Sequence, residues 1–370
     1  MKKIICLMLS LIMVMGIFSA CGNSEQSVNP PAENSAENFA ASEGREYTDD
    51  SGRTVALPAK INKVVVSGPL SQIYAYPVCY DMLVGFSKAF SGDGAKFIPE
   101  KYLQLPELGQ IYGGKGTMDL EALLAAAPDV VIDLGEAKKT IAEDFDALTE
   151  QTGIPFIHID ATVKSAPEAF RKLGELVGKE DRAEILAKWC EECYADIESM
   201  MEKVDADSKR KTVVYCLGDK GLNVLAEGSF HAETINMMAE NVAELADVVS
   251  SGMGNEIDME QLILWNPDVI IFANDSIYGD LKNGTADMGV WGELRAVKNG
   301  DFYEAPYGPY GWLASPPSVQ RYLGMLWLGQ LLYPEYAEYD LKEEVSEYYK
   351  LFYDYDMTDE AYAELTQFAF

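Results

Sequence analysis

Short β-branched, apolar runs alternate with amphipathic stretches along most of the chain. The runs expected to form strands are residues 64–66, 130–132, 156–159, 212–216, 269–272 and 302–304. Runs that are apolar at nearly every position are typical of parallel sheets whose two faces are covered by helices. The pattern therefore predicts an α/β fold with mainly parallel sheets, preceded by a β-hairpin over residues 47–58.

Two segments of the chain, residues 113–132 and 252–271, repeat each other 139 residues apart without a gap. Each contains an aspartate that caps a helix, a glutamate in the first helical turn, and a Pro-Asp pair before a strand. The caps are Asp119 and Asp258, and the glutamates are Glu121 and Glu260. A repeat of this length is domain-sized, so the chain is predicted to form two similar Rossmann-like lobes with a cleft between them.

A long helical stretch over residues 165–204 separates the two repeats and is interrupted at Gly178. Such a helix reaches across a whole domain, so the two lobes are predicted to hinge little. Its apolar face is formed by Ile185, Leu186, Trp189, Cys190, Cys193, Ile197, Met200, Met201 and Val204. Because both cysteines lie on this face in mid-helix, the pattern favours buried structural thiols over a redox pair, and a disulfide between them stays open.

The N-terminus has the features of an export signal. Lys2 and Lys3 precede an apolar run over residues 4–18, and small residues then lead to Cys21. This segment looks like the lipobox of a bacterial lipoprotein, which implies cleavage before Cys21 and lipidation of that residue. The expected organisation is a signal peptide (1–20), a lipidated disordered tether (21–45), an N-terminal lobe (46–164), a linking helix region (165–204) and a C-terminal lobe (205–370). The acidic helical tail at its end is expected to pack on the C-terminal lobe.

Charge and residue counts argue against several functions. The chain has 29 Lys and Arg against 60 Asp and Glu, a net charge of −31, which leaves few cations to neutralise nucleic-acid phosphates. It has only two histidines, His158 and His231, and no catalytic sequence motif, so neither a resident metal or cofactor nor an enzyme is expected. The alternative from another functional class is an enzyme: an exported two-lobed protein with a metal cluster, for which Cys79 and Cys216 are the plausible ligands.

The order of these features resembles the substrate-binding proteins of ABC importers. The features are the lipobox, the Asp-Ser-Gly-Arg-Thr-Val hairpin at residues 50–55, the paired repeats, the linking helix and the Ala-Ser-Pro-Pro segment at residues 314–317. Within that group the chain is similar to the cluster whose lobes are joined by one long helix. The cluster serves importers of iron-siderophore complexes, haem, cobalamin and some molybdates or tungstates.

The resemblance implies a monomeric, lipid-anchored protein on the outer face of the cell membrane. Its role would be to deliver an iron complex or a related metal chelate to a permease dimer with its ATPase. A molybdate- or tungstate-type oxyanion is the alternative ligand. In the proteins that the chain resembles, one glutamate per lobe makes salt bridges to permease arginines, which implies docking through Glu121 and Glu260. A helix-dipole role for these glutamates is compatible with docking.

Ligands of open parallel sheets bind beyond the carboxyl ends of the strands, which face the cleft in a two-lobed protein. The loops and helix start expected there contain the candidate contacts Pro69, Leu70, Tyr112, Lys138, Lys220, Tyr310, Trp312, Leu313 and Arg321. The aromatic segment at residues 307–313 suits a flat or bulky ligand. The similarity to cobalamin binders also places the last residues of that segment at the cleft.

Positively charged residues on the same loops favour an anionic ligand. Lys138 and Lys220 are joined there by Lys115 and Lys139. Arg321, near the start of an apolar helix, is either a bidentate donor to a carboxylate or oxyanion in the cleft, or a surface cation. An anionic ferric-siderophore complex and a molybdate-type ion both fit a cationic cleft.

Overall fold

The computed structural model describes residues 44–112, 117–274, 276–314 and 316–370. The signal peptide, Cys21, nearly all of the tether and Lys115 lie outside the described residues. In the part of the chain that is described, no helix is both long and apolar enough to cross a membrane.

The N-terminal lobe contains a parallel three-stranded sheet, as its apolar runs predict. Strands β1 (Arg45–Thr48) and β2 (Thr54–Leu57) form the expected antiparallel hairpin. The parallel sheet has the order β3 (Val64–Val66), β4 (Val130–Gly135), β5 (Phe156–Asp160). Its helices are α1 (Pro69–Cys79), α2 (Leu120–Ala126) and α3 (Ile141–Thr152), with short 3-10 helices at Gly92–Phe97 and Glu100–Tyr102.

The linking helix region consists of α4 (Ala166–Val177) and α5 (Glu180–Ala206), and the break between them is at Gly178. Gly178 ends α4 in the left-handed conformation with φ 70°, which costs a glycine little. Cys190 and Cys193 are buried, unpaired thiols, as the helical pattern predicts. Ile185 departs from the pattern, because half of its surface is exposed.

The C-terminal lobe contains a larger and mainly parallel sheet. Its strands are β6 (Thr212–Leu217), β7 (Asn223–Val224), β8 (Glu240–Asn241), β9 (Asn255–Glu256), β10 (Val269–Phe272) and β11 (Phe302–Glu304). The order is β11-β10-β6-β7-β9, with β8 also paired to β6; only the β7 pairings are antiparallel. Its helices are the 3-10 helix Phe230–Ala232, α6 (Glu233–Met238), α7 (Met259–Trp265), α8 (Tyr278–Asn283), α9 (Met288–Trp291), α10 (Arg295–Asn299) and α11 (Arg321–Leu332).

The C-terminal tail, α12 (Leu341–Tyr353) and α13 (Asp359–Leu365), contacts both lobes. The ring of Phe97 in the N-terminal lobe lies 4.8 Å from that of Tyr349 in α12. Lys96 forms a 2.8 Å ion pair with Glu364 in α13. The prediction that the tail packs on the C-terminal lobe is therefore incomplete, because the tail also connects the two lobes.

Candidate functional site

A cavity of about 650 Å³ lies between the two lobes. The N-terminal lobe contributes Ser67, Gly68, Pro69, Leu70, Ser71, Gln110, Tyr112, Asp133, Leu134, Glu136 and Lys138. The C-terminal lobe contributes Phe230, His231, Ser250, Ser251, Gly252, Met253, Ala314, Pro316 and Pro317. Most residues of the first group lie at the carboxyl end of β4 or within five residues after β3 or β4. The cavity is therefore at the carboxyl ends of parallel strands, where the fold predicts a ligand.

Four of the nine predicted ligand contacts line this cavity: Pro69, Leu70, Tyr112 and Lys138. Pro69 is the first residue of α1, directly after β3, where its fixed φ suits a helix start. Leu70 packs onto Gly135, at which a Cβ atom would lie 2.2 Å from the leucine side chain. The close approach of α1 to β4 therefore requires glycine at position 135. Contact of the four residues with a ligand stays a prediction.

The other five predicted contacts do not line the cavity: Lys220, Tyr310, Trp312, Leu313 and Arg321. Lys220 is exposed elsewhere on the C-terminal lobe, and Trp312 and Leu313 are buried in the core. The hydroxyl of Tyr310 accepts a 2.7 Å hydrogen bond from Gln72 of α1. These three residues of the aromatic segment are thus held against the N-terminal lobe and the core, whereas Tyr307 is exposed; contact of the segment with a ligand stays a prediction.

Arg321 is neither a cleft residue nor a surface cation, because its side chain is fully buried. Its Nη1 atom lies 2.7 Å from Oε2 of Glu233 and donates to the carbonyl oxygen of Phe230 at 3.2 Å. The guanidinium carbon is 4.8 Å from the centre of the Phe230 ring. Since Phe230 lines the cavity, Arg321 supports the cavity wall from behind.

Glu233 connects this support to the start of the linking helices. Its two carboxylate oxygens accept from the backbone N–H of Val163 at 3.2 and 3.3 Å. The hydroxyl of Tyr322, the residue after Arg321, donates to the carbonyl oxygen of Val163 at 2.7 Å. The Arg321–Glu233 pair therefore joins the cavity wall to the segment where the two lobes meet.

Asp133 lines the floor of the cavity and forms a pair with His158, which is fully buried behind it. Nδ1 of His158 is 2.7 Å from Oδ2 of Asp133, and its Nε2 is 2.8 Å from Oδ1 of Asp160. The other Asp133 oxygen, Oδ1, accepts a hydrogen bond from the hydroxyl of Ser67. Burial lowers the pKa of His158, but the hydrogen bonds and charges of the two carboxylates outweigh burial and raise it overall.

This raised pKa predicts that the protein loses stability as the pH becomes alkaline. The contribution of the proton on His158 is complete below the ordinary value of 6.5 and is lost as the pH rises through the folded-state pKa. As the pH is raised from about 6 to about 9, we expect the Tm of the wild type to decrease more than the Tm of His158→Gln. His231→Gln is the matched control: burial lowers the pKa of His231, so its removal leaves this alkaline slope in place. Equal slopes for the wild type and His158→Gln would contradict the prediction.

Positive charge does not collect on the described part of the cavity lining. The Nζ atom of Lys138 is paired with the Glu136 carboxylate at 2.7 Å. Burial lowers the pKa of His231, so its imidazole is uncharged at neutral pH, and its Nδ1 atom has no hydrogen-bond partner among the described residues. The described lining thus has two carboxylates, Asp133 and Glu136, against one lysine.

Glu121 and Glu260 are exposed on the first turns of α2 and α7, as the repeat predicts. The capping is done by the preceding aspartates: Asp119 accepts from the N–H groups of Glu121 and Ala122, and Asp258 accepts from that of Gln261. Both glutamate side chains therefore remain available at the surface. Their contact with a permease stays a prediction.

Several cavity residues were not among the predicted contacts, notably Asp133, Phe230, His231 and Met253. One signal for Asp133 was present in the sequence. It interrupts the apolar run of β4, and His158 interrupts that of β5, and the two residues are direct neighbours in the parallel pairing. Two polar residues at matching positions of adjacent buried strands indicate a paired buried site.

The sequence profile of the periplasmic binding protein family matches residues 85–307. An ABC transporter solute-binding protein from Sulfurospirillum deleyianum has a similar structure, with TM-score 0.78, 29% identity, and coverage of 87% of this chain and 99% of that one. A periplasmic solute-binding protein from Veillonella parvula gives TM-score 0.72, 24% identity and coverage of 88% and 98%. The molybdate-bound periplasmic binding protein of Haemophilus influenzae gives TM-score 0.65, 20% identity, and coverage of 85% of this chain and 99% of that one. A comparison with curated protein sequences returned no significant match.

Proposed function

The chain belongs to the periplasmic binding protein family, and from that premise we propose that it captures an organic metal chelate in the cleft and delivers it to an ABC permease. Its general role is that of an extracytoplasmic solute-binding protein working with permease and ATPase components. The identity of the solute is the part that we propose: an iron complex such as a siderophore or haem, or a related chelate such as cobalamin.

The size and lining of the cavity carry this proposal. About 650 Å³ is within the ~300–1,000 Å³ typical of sites for drug-sized ligands. Leu70, Leu134, Phe230, Met253 and the prolines at 69, 316 and 317 give the lining a largely apolar character. A large chelate buries such surface, whereas a compact oxyanion leaves most of it unfilled.

His231 lines the cavity and is a further candidate contact for a chelate whose metal has an open coordination position, provided that the imidazole turns, because its Nδ1 atom is buried in this structure. Its imidazole is uncharged and its Nδ1 atom has no partner among the described residues. A neutral imidazole nitrogen is a common ligand of transition metals and otherwise accepts a hydrogen bond. In this proposal the metal is part of the transported solute and is not a resident cofactor.

A molybdate-type oxyanion is the second candidate, favoured by the hydroxyl groups of Ser250 and Ser251 on the cavity wall. Each hydroxyl oxygen accepts a backbone N–H at 3.1 Å, from Phe230 and Met253 respectively. Each hydroxyl proton can therefore point toward an anion. Similarity to the molybdate-bound Haemophilus protein, at 20% identity, supports the fold alone.

Calorimetric titration distinguishes the two ligand classes. We expect at least one of a panel of ferric hydroxamate, ferric catecholate, haem and cobalamin to bind with a Kd of about 1 μM or lower, and molybdate to bind more weakly. Ser251→Trp fills the cavity and should abolish binding, whereas Val249→Trp is the matched control, since Val249 is exposed on the same loop outside the lining. Tight binding of molybdate with no chelate bound would sink the chelate proposal.

Docking through Glu121 and Glu260 predicts a defect in transport without a defect in binding. The double variant Glu121→Ala/Glu260→Ala is expected to lower uptake of the bound chelate by about tenfold or more, because each lobe loses a charged contact with the permease. Its Kd for the chelate should stay at the wild-type value, since neither side chain lines the cavity. Glu150→Ala, an exposed glutamate on α3, is the control for loss of surface charge. Wild-type uptake by the double variant would remove these residues from the docking surface.

The proposal includes a lipid anchor at Cys21, which supports its location at the outer face of the membrane. This part rests on the sequence alone: charged start, apolar run and small residues before the cysteine. An anchored receptor stays close to its permease, which raises the local concentration of loaded protein at the docking site.

A further inference from the structure

The floor of the cavity is negatively charged, which the sequence did not reveal. Asp133 forms part of the cavity lining although nine-tenths of the residue is buried. One of its oxygens faces His158 and the other accepts from Ser67. A carboxylate has about four lone-pair positions, so Asp133 retains capacity to accept further hydrogen bonds from a ligand.

The neighbouring hydroxyl groups are already committed within the floor. Ser67 donates to Asp133, and Ser71 accepts the N–H of Leu134 at 2.8 Å while its oxygen lies 2.8 Å from that of Ser67. The floor therefore presents oxygen lone pairs to the cavity more readily than free protons. Such a surface attracts a cation or a hydrogen-bond donor and repels a bare anion.

No described cation of the lining offsets this field. Lys138 is held by Glu136 at 2.7 Å, and the imidazole of His231 is uncharged at neutral pH. His158 lies behind Asp133, fully buried and placed between two carboxylates. Its single positive charge is shared between those two carboxylates, so the three side chains together keep one negative charge. His158 thus positions Asp133 without itself facing the ligand.

We infer that Asp133 is a specificity-determining residue which selects solutes carrying a positively charged or hydrogen-bond-donating group at the cavity floor. The inference deepens the proposed function, since it concerns which chelates the same cleft accepts. It favours a chelate with an ammonium or amide group over a polyanionic complex. His158 is the positioning residue of this pair.

Two inert octahedral complexes of similar shape and opposite charge test the inference without a natural ligand: hexaamminecobalt(III) and hexacyanocobaltate(III). Binding is followed by NMR at the amide of Gly252 and the methyl of Met253, which both line the cavity. In the wild type the cationic complex should shift these signals with an affinity about tenfold or more above that of the anionic complex. An anionic complex that binds as tightly or more tightly, or no shift by the cationic complex, overturns the inference.

The variant Asp133→Asn removes the charge and keeps the shape of the side chain. It should lose the preference for the cationic complex, whereas Glu150→Gln removes the same charge from the exposed surface of α3 and should keep it. Retention of the preference by Asp133→Asn would overturn the inference. The comparison in the wild type needs no substitution, so the inference stays testable even if Asp133→Asn does not fold.

The two proposals fail separately in these experiments. Absence of binding to every chelate in the calorimetric panel would reject the proposed solute class but leave the charge preference of the floor measurable with the cobalt complexes. Conversely, a chelate that binds well to a floor without charge preference would reject only the role of Asp133. If chelates bind, both proposals can be tested together by comparing the affinity of a ferric trihydroxamate that has a free terminal ammonium group with that of its acetylated form.

Discussion

Replacing Arg321 by methionine is expected to lower the free energy of unfolding by about 3 kcal/mol, the low end for a broken buried pair, because it leaves the partly buried Glu233 carboxylate without its cation. The pair is buried on the arginine side, and the distance between Nη1 and Oε2 is 2.7 Å. Urea denaturation followed by far-UV circular dichroism measures the change. A loss below about 1 kcal/mol would show that the pair behaves like an exposed ion pair.

The double variant Arg321→Met/Glu233→Met separates the charge from the packing. Removing both charges avoids an unpaired, partly buried carboxylate, so the double variant should be more stable than Arg321→Met alone. Its remaining defect should be in the cavity, because it still lacks the guanidinium next to Phe230 and the bonds from Glu233 to Val163. We therefore expect weaker chelate binding in the double variant even where its stability recovers.

The fold could be predicted from the sequence because its signals are local. Buried parallel strands are continuous apolar runs, the aspartate caps mark two helix starts, and Gly178 marks the break in the linking helices. Each of these features depends on neighbouring residues in the chain. The repeat added the long-range information that two such units exist.

Three of the four predicted residues in the cavity lining lie shortly after a strand, and the fourth, Tyr112, lies in the segment before α2. Pro69 and Leu70 begin α1, which starts three residues after the end of β3, and Lys138 lies three residues after the end of β4, so their place at the cleft is fixed by the fold. The aromatic segment and Arg321 are different, because composition alone does not show whether an aromatic or charged side chain turns toward a cleft or a core. Arg321 faces inward because its Nη1 atom is bonded to Glu233 and to the Phe230 carbonyl there, although its Nη2 atom has no partner among the described residues.

The acidic tail shows the same limit of sequence reasoning. Its apolar face was visible in the pattern of Val345, Tyr348, Tyr349 and Phe352, and all four are buried. Which surface this face covers depends on residues far away in the chain. Phe97 and Gly308 contact Tyr349, and Arg182 of α5 donates to the carbonyl oxygen of Leu351 in α12.

Replacing Tyr349 by alanine is therefore expected to lower the free energy of unfolding by about 3–5 kcal/mol, as for other large aromatic residues removed from a core. The side chain is fully buried, packs at a tilt against the ring of Phe97, and donates its hydroxyl proton to the carbonyl oxygen of Gly308. Tyr349→Phe keeps the ring and loses only the hydrogen bond, so its cost should be about 1 kcal/mol. Urea denaturation of both variants gives the comparison.

The location of Tyr349 predicts a second effect that a merely local core residue would not have. Since the tail joins the 3-10 helix Gly92–Phe97 to the C-terminal lobe, loss of the ring frees one of the connections between lobes while α4 and α5 remain. Hydrogen exchange at residues 95–98 should therefore accelerate in Tyr349→Ala more than exchange in β4 of the same lobe. Uniform acceleration across the whole chain would mean that Tyr349 stabilises the protein globally and does not restrain the lobes.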